Sequence, residues 1–361
     1  MSFIEVSYLA LQGTLALFSI INSRFWLELK AKPSTNKKIS ILIPARNEAR
    51  NLEKLLPSLR LQDAANLEIL VLNDRSEDDT NAVLERFPQV RVFEGLPLPA
   101  DWLGKNWACH QLSKAATGDI LIFTDADTTW QPFTANAIAA SLEAQQADAL
   151  CAWAAQEVTD PISRLIQPLQ QWSLLAFLPL FFVPLRAFSL AVAANGQCLA
   201  FTRAMYTQIG GHQAVKRSVI EDMALARAVK RKRGKFLLFN GAKAISTKMY
   251  ASSLEAFEGY AKNVYPAFGA SRVAFFAATL FNLVLYLLPW LLLPFWDLAW
   301  LVIICSMLPR VISDIRNRYD PLYTVLHPLS IAVWALIGLE SLRRFRAGKV
   351  TWKGREYDLR R

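Results

Sequence analysis

Metal-binding and cross-linking residue types are scarce in this 361-residue chain. It has three histidines, His110, His212 and His327, and four cysteines, Cys109, Cys151, Cys198 and Cys305, scattered without a CxxC pair. That distribution points to neither a zinc site nor a disulfide framework. Charge is sparse as well: Asp, Glu, Lys and Arg make up 19% of residues, against about 25% in soluble domains. The hydrophobic fraction is 53%, above the usual ~45–50%.

The shortage of charge is local. Residues 273–309 hold only Asp297 as a charge, in a run dense with Leu, Phe and Trp and broken by Pro289 and Pro294. Such a run suits two short spans, near the lower limit of about 17 residues each, or one long tilted span. Residues 6–22 form a second apolar run. With no basic cluster before it and no clean small-residue cleavage pattern after it, it reads as an anchor. Lys30, Lys32, Lys37 and Lys38 follow, which by the positive-inside tendency puts the next domain in the cytoplasm. A third run, 322–342, carries His327, Pro328 and Glu340, and leaves the number of spans and the side of the basic tail open. The net charge of +10 clusters beside apolar segments. Anionic head groups explain that placement better than nucleic acid does.

Between the apolar regions the pattern changes. Ser40–Ala45, Leu67–Leu72, Val90–Phe93 and Ile120–Thr124 read as strands, with helical periodicity over Glu48–Arg60, Asp79–Arg86 and Asn106–Ala116. This alternation predicts an α/β fold, a parallel-rich sheet with helices on both faces. Ligands in such sheets bind beyond the carboxyl ends of the strands. Three strands there lead into polar residues: Pro44 to Glu48, Asn73 to Ser76, and Asp125 to Asp127.

Asp125 and Asp127 flank one residue, so in extended backbone both carboxylates face one side and suit Mg²⁺ or Mn²⁺ together with a substrate diphosphate. A divalent cation there would neutralise charge on a departing nucleotide. The competing reading is an acidic loop capping a helix that begins near Pro132. Asp74 is placed to hold the base and ribose of a donor, with Ser76 and Asp78 mainly starting the next helix. Glu48 binds the nucleotide or favours a helix N-terminus by charge. Glu221-Asp222 opens a helical stretch that ends in Lys230-Arg231-Lys232-Arg233, a run better explained by the helix's negative end and a solvated face than by a site.

PARNE, LNDRSEDDT, the segment Gly104-Lys105-Asn106-Trp107 and TDADT occur in the order seen in family 2 inverting glycosyltransferases, which the chain resembles over roughly 39–240. The resemblance implies a nucleotide-sugar-binding, GT-A-like fold and inversion at the anomeric carbon. It implies donor contacts at Pro44, Glu48, Asp74, Lys105 and Asp125, metal contacts at Asp127 and Asp125, and Asp222 as the general base of an ED-type motif. Asn73 departs from the family's usual aspartate. No clear Q-x-x-R-W follows, so processive polysaccharide synthesis loses ground. Gly196, Gln197 and Glu221 are candidates for the acceptor pocket.

The PLPADWLGKNWA segment and the aromatic stretch Met249–Phe268 are similar to bacterial carotenoid and hopanoid-associated glycosyltransferases. That resemblance implies a lipid acceptor of polyprenoid type. The expected organisation is an anchor over 1–29, a glycosyltransferase domain over 39–240 with a possible interfacial insertion at 165–195, an amphipathic segment over 249–272, a membrane region over 273–342 and a basic tail over 343–361. The expected location is the inner membrane, multi-pass, with the catalytic domain cytoplasmic and the oligomeric state open. A non-catalytic membrane scaffold with a nucleotide-binding fold is the alternative, or an enzyme with a soluble or polysaccharide acceptor.

Overall fold

The computed structural model describes residues 2–269, 271–347, 349–352 and 355–358. Backbone contacts divide the chain into a sheet-containing unit, residues 26–155 and 179–248, and a helical unit, residues 1–25, 156–178 and 249–361.

In the sheet unit, eight strands form one sheet: Leu27–Glu28 (β1), Ile39–Ala45 (β2), Leu67–Asn73 (β3), Arg91–Glu94 (β4), Ile120–Phe123 (β5), Ala149–Trp153 (β6), Leu199–Thr202 (β7) and Phe236–Asn240 (β8). Their order is β1-β8-β6-β7-β5-β2-β3-β4. The runs Ile39–Ile43 and Ile120–Phe123 are buried without alternation, as expected of parallel strands covered on both faces. β2 pairs in parallel with both β3 and β5. Strand β7 alone runs antiparallel, against β5 on one side and β6 on the other. Its beginning therefore lies at the same edge as the carboxyl ends of its neighbours, and the chain from 154 to 198 leaves the sheet and returns at one edge.

The sheet core joins Ile41, Ile43, Val71 and Ile122 to Leu52, Leu55, Leu56 and Leu59 of the helix Ala49–Arg60. Those four leucines are the i, i+3, i+4, i+7 stripe read in the sequence. Observed strand and helix bounds depart from the predicted ones by one or two residues, the largest shift being at Gly104–Ala115, where the helix begins at Gly104 and takes in Lys105.

The helical unit has its own core, in which Ile166, Leu169, Trp172 and Ala176 pack with Tyr260, Tyr265, Phe275, Tyr286 and Ile337. Residues 156–178 are therefore separated from the expected domain 39–240, and the stretch 165–195 is not a single insertion. Burying the apolar face of the helix Pro168–Phe177 among these aromatic side chains accounts for the division.

Among the described residues, two helical segments in this unit are long and apolar enough to cross a membrane, Phe3–Ser23 and Pro321–Ala347, with mean hydropathies of 1.6 and 1.7. Phe3–Ser23 is inverted relative to a soluble helix. Gln12, Ser19 and Asn22 are buried, whereas Phe3, Ile4, Leu11, Leu17 and Ile21 are exposed. The buried amides are used: Gln12 Nε2 donates to the Leu285 carbonyl at 2.7 Å, and Asn22 Nδ2 to those of Leu175 and Leu178.

The 273–309 run resolves into the helices Arg272–Tyr286, Leu288–Leu292 and the start of Ala299–Arg316. Pro289 lies in the first turn of Leu288–Leu292, where no N–H is needed, and Pro294 follows its end. Of the basic tail expected over 343–361, residues to Ala347 are helical, 349–352 pairs with 355–358, and Gly348, Lys353, Gly354 and 359–361 lie outside the described residues.

Candidate active site

Two loops at the carboxyl edge are stitched together by side chains. Arg46 Nη1 donates to the carbonyls of Asp74 and Arg75 at 2.8 and 2.9 Å. Asn47 adopts a left-handed φ of 54°. Its N–H donates to Ser76 Oγ at 2.9 Å and its Oδ1 accepts from the Glu77 N–H at 2.8 Å. Asp78 accepts from the N–H groups of Ala49 and Thr80, so it caps the beginnings of both helices. Burial opposes the charge of Asp78, but the hydrogen bonds from Thr80 and Ala49 outweigh it and hold the carboxyl below its ordinary range. This lattice fixes Asp74, which is buried, at the end of β3. Asn73 is part of the same scaffold: its Nδ2 donates to Asn81 Oδ1 at 2.6 Å and its Oδ1 accepts from the Ser76 N–H.

The expected continuous extended backbone from Asp125 to Asp127 is interrupted, because Ala126 and Asp127 form a turn between β5 and the strand Thr128–Trp130. The Thr128 hydroxyl closes the turn by donating to the Asp125 carbonyl at 3.0 Å, and the Thr124 hydroxyl donates to the Gln197 carbonyl at 2.8 Å. The second bond ties the start of the β7 segment to the acidic turn.

Lys105, in the first turn of the helix Gly104–Ala115, places Nζ 2.7 Å from Asp125 Oδ1 and 2.9 Å from Glu221 Oε1. Burial opposes the ammonium charge, but Asp125 and Glu221 outweigh it and hold Lys105 well above the ordinary lysine range. Gly196 makes room for the lysine: a Cβ there would lie 2.5 Å from Lys105 Nζ and 2.9 Å from Asp125 Oδ2. Asn106 Nδ2 reaches the carbonyls of Val215, Lys216 and Ser218 at 3.0–3.2 Å. It thereby fastens the segment leading into Glu221-Asp222 to the lysine-bearing helix.

One cavity is lined by Pro44, Lys105, Cys109, Thr124, Asp125, Gly196, His212, Glu221 and Asp222, among others. Six of the sequence candidates therefore meet there: Pro44, Lys105, Asp125, Gly196, Glu221 and Asp222. Glu48 and Asp74 lie on the adjoining loops, with Glu48 Oε2 accepting from Asn51 Nδ2. The Gln197 side chain accepts from Asn195 Nδ2 instead of lining the cavity. Asn106, Cys109, Thr124 and His212 had no site role in the sequence reading. Asn106 and Cys109 share the helix of Lys105, with Cys109 one turn on at i+4, whereas Thr124 and His212 come from other elements that no spacing links.

The electrostatics are unbalanced. Asp222 is pushed up to about 7, first by burial and then by Glu221. Asp127 is also raised to about 7, by burial and then by Asp125 and Glu48, and its buried Oδ1 has no hydrogen-bond partner. An orphaned carboxylate oxygen beside a second carboxylate fits a hard divalent cation. No cluster of three or more His, Cys, Asp or Glu ligands occurs among the described residues. A cation here would complete its shell with water and donor phosphate oxygens, as Mg²⁺ commonly does.

Comparison with known proteins agrees with this architecture. Residues 40–188 match the model of glycosyl transferase family 2. The 4,4'-diaponeurosporenoate glycosyltransferase of Staphylococcus haemolyticus (strain JCSC1435) is similar at 26% identity, with 95% of each chain covered. That of Staphylococcus aureus (strain MRSA252) is 25% identical, with 94% of this chain and 93% of the relative covered. The mannosyltransferase PcManGT from Pyrobaculum calidifontis, solved with GDP-Man and Mn²⁺, superposes with a TM-score of 0.53 at 15% identity, covering 94% of this chain and 96% of that one. The expected GT-A-like α/β fold is the fold found. Residues 40–188 carry the match to glycosyl transferase family 2, and the chain is a glycosyltransferase.

Proposed function

We propose that this glycosyltransferase moves a sugar, with inversion, from a nucleotide-sugar donor to a hydroxyl of a lipid acceptor of carotenoid or polyprenoid type at the cytoplasmic face of a membrane. The observation that carries the reading is the cavity that Asp125 and Asp222 both line, with Lys105 bridging Asp125 to Glu221.

In this reading Glu48 and Asp74 hold the nucleoside, and Lys105 faces the donor diphosphate. Asp127 and Asp125 hold Mg²⁺ or Mn²⁺, which when bound supplies positive charge against the diphosphate leaving group. Asp222 accepts the proton of the acceptor hydroxyl while that oxygen bonds to the anomeric carbon and the bond to the nucleoside diphosphate breaks. A carboxyl raised to about 7 is well matched to this role, because a base works best with a pKa near the working pH. Gly196 and Glu221 border the acceptor side. The carotenoid-type relatives and the inverted polarity of Phe3–Ser23 support a lipid acceptor and membrane association.

The test is transfer from radiolabelled nucleotide sugars into organic-extractable lipid, measured with and without chelator, in wild type and Asp222→Asn. Chelator-sensitive lipid labelling lost in the variant is the expected result. Label confined to aqueous products would redirect the acceptor, and donor binding without turnover would favour a scaffold.

A further inference from the structure

Residues 185–190, Leu-Arg-Ala-Phe-Ser-Leu, are exposed one after another, Leu190 at 94%. The rings of Phe182 and Phe188 stack at 4.1 Å, so the apolar tip has a fixed shape. From 178 to 197 there is no acidic residue. The loop is held from beneath by an unusual device: Lys230 is 1% exposed and its Nζ donates to the carbonyls of Val183 and Leu185 at 2.9 and 2.6 Å. Burying an ammonium is costly, and here it serves to hold leucine and phenylalanine side chains outward, which gains nothing in water. Next to the loop lies a basic turn of exposed Arg231, Lys232 and Arg233, and Arg186 Nη1 donates to the Arg233 carbonyl at 2.9 Å. Asp148 balances Arg186, leaving the turn cationic.

We propose that residues 182–190 together with 231–233 are a docking surface for a bilayer containing anionic phospholipid, located on the catalytic unit itself. Stacked aromatic and leucine side chains beside a lysine-arginine cluster are complementary to the boundary between acyl chains and negative head groups. The irregular backbone of the loop fits that boundary, since peptide groups outside regular helix or closed sheet are excluded from the hydrocarbon centre. The same strand of chain continues through buried Ala191–Ala194 to Gly196, which abuts Lys105 and Asp125. Six residues span at most about 20 Å. Docking would therefore bring the cavity within that distance of the bilayer, so that an acceptor reaches Asp222 from the lipid side. This consequence rests on the lipid-acceptor reading above, whereas the docking itself does not.

The test uses the full chain with Leu190→Cys carrying an environment-sensitive fluorophore, in vesicles containing doxyl-labelled lipids. Unsubstituted protein labelled in parallel reports the background from Cys305. We expect several-fold quenching in phosphatidylglycerol vesicles, weakened in zwitterionic vesicles and by Arg231→Gln/Lys232→Gln/Arg233→Gln. An unquenched label overturns the proposal, and a blue-shifted label accompanied by dimerisation assigns the surface to a second copy. Equal quenching in zwitterionic vesicles overturns the choice of anionic lipid. Donor turnover in the same samples separates the two readings: quenching without turnover would remove the transferase assignment, and turnover without quenching would remove the docking surface. Phe188→Asp/Leu190→Asp is expected to reduce transfer to a bilayer-embedded acceptor several-fold while leaving donor hydrolysis unchanged.

Discussion

In the helical unit, Arg310 and Asp314 are buried together at 1% side-chain exposure. The guanidinium Nε meets both carboxylate oxygens at 2.8 and 2.9 Å, Thr324 Oγ1 donates to the same carboxylate, and Arg310 Nη1 lies 3.3 Å from His327 Nδ1. At the sheet edge, one partly exposed lysine is shared between Asp125 and Glu221, while Asp127 keeps an orphaned oxygen and Asp222 is driven towards its neutral form. In the first cluster the opposite charges pair with each other. The second is short of positive charge, and a donor with its cation would supply what is missing. Charge that is fully buried and mutually paired thus marks scaffold in one place, and charge that is partly exposed and left unbalanced marks a candidate site in the other.

The sharpest way to break this comparison is Asp222→Asn. It is expected to lower turnover by about 10²–10⁴-fold, with thermal stability retained, as measured by initial rates and unfolding of the same preparation. Arg310→Met should do the opposite, preserving the cavity but destabilising the protein by about 3–5 kcal/mol because it strands Asp314. The double variant Arg310→Met/Asp314→Leu should recover most of that loss in denaturant titrations. Nucleotide sugar plus Mn²⁺ should stabilise wild type by about 2.7 kcal/mol at a hundredfold excess over Kd, and Asp127→Asn should lose much of this gain when assayed by thermal shift.

The smallest effect concerns pH. With Asp222 acting as base, the rate should rise with pH through about 7 and then level. Because Glu221 helps raise that carboxyl, Glu221→Gln should move the acid limb to lower pH. The folded protein binds this proton more tightly than the unfolded chain, whose carboxyl titrates near ~4. The contribution to stability therefore falls as pH rises from about 4 through about 7, and Asp222→Asn should flatten that limb.

Much of the sheet was legible because its signals are local. Runs such as Ile39–Ile43 and Ile120–Phe123 end in the polar residues that define the edge, and the leucines of 49–60 repeat at helical spacing. The pairing of Lys105 with Glu221 was not legible, since it closes across more than a hundred residues through the Asn106 clamp. Nor was the turn at Asp125–Asp127, which depends on two threonine hydroxyls choosing particular carbonyls. Residues 156–178 read as part of the catalytic segment because they are contiguous with it. Their assignment to the helical unit follows from aromatic partners supplied by residues 260–337.

The antiparallel course of β7 has a consequence for how such a chain can diversify. Since the excursion from 154 to 198 begins and ends at one edge, between neighbouring strands β6 and β7, its length and content are decoupled from sheet register. Residues 156–178 of that excursion are committed to the helical core through Ile166, Leu169 and Trp172, and its end is tied to the acidic turn through Gln197, so the exposed tip between them is the part free to vary. A chimaera that exchanges only residues 185–190 for those of a relative should leave the strand register and the cavity lining as they are.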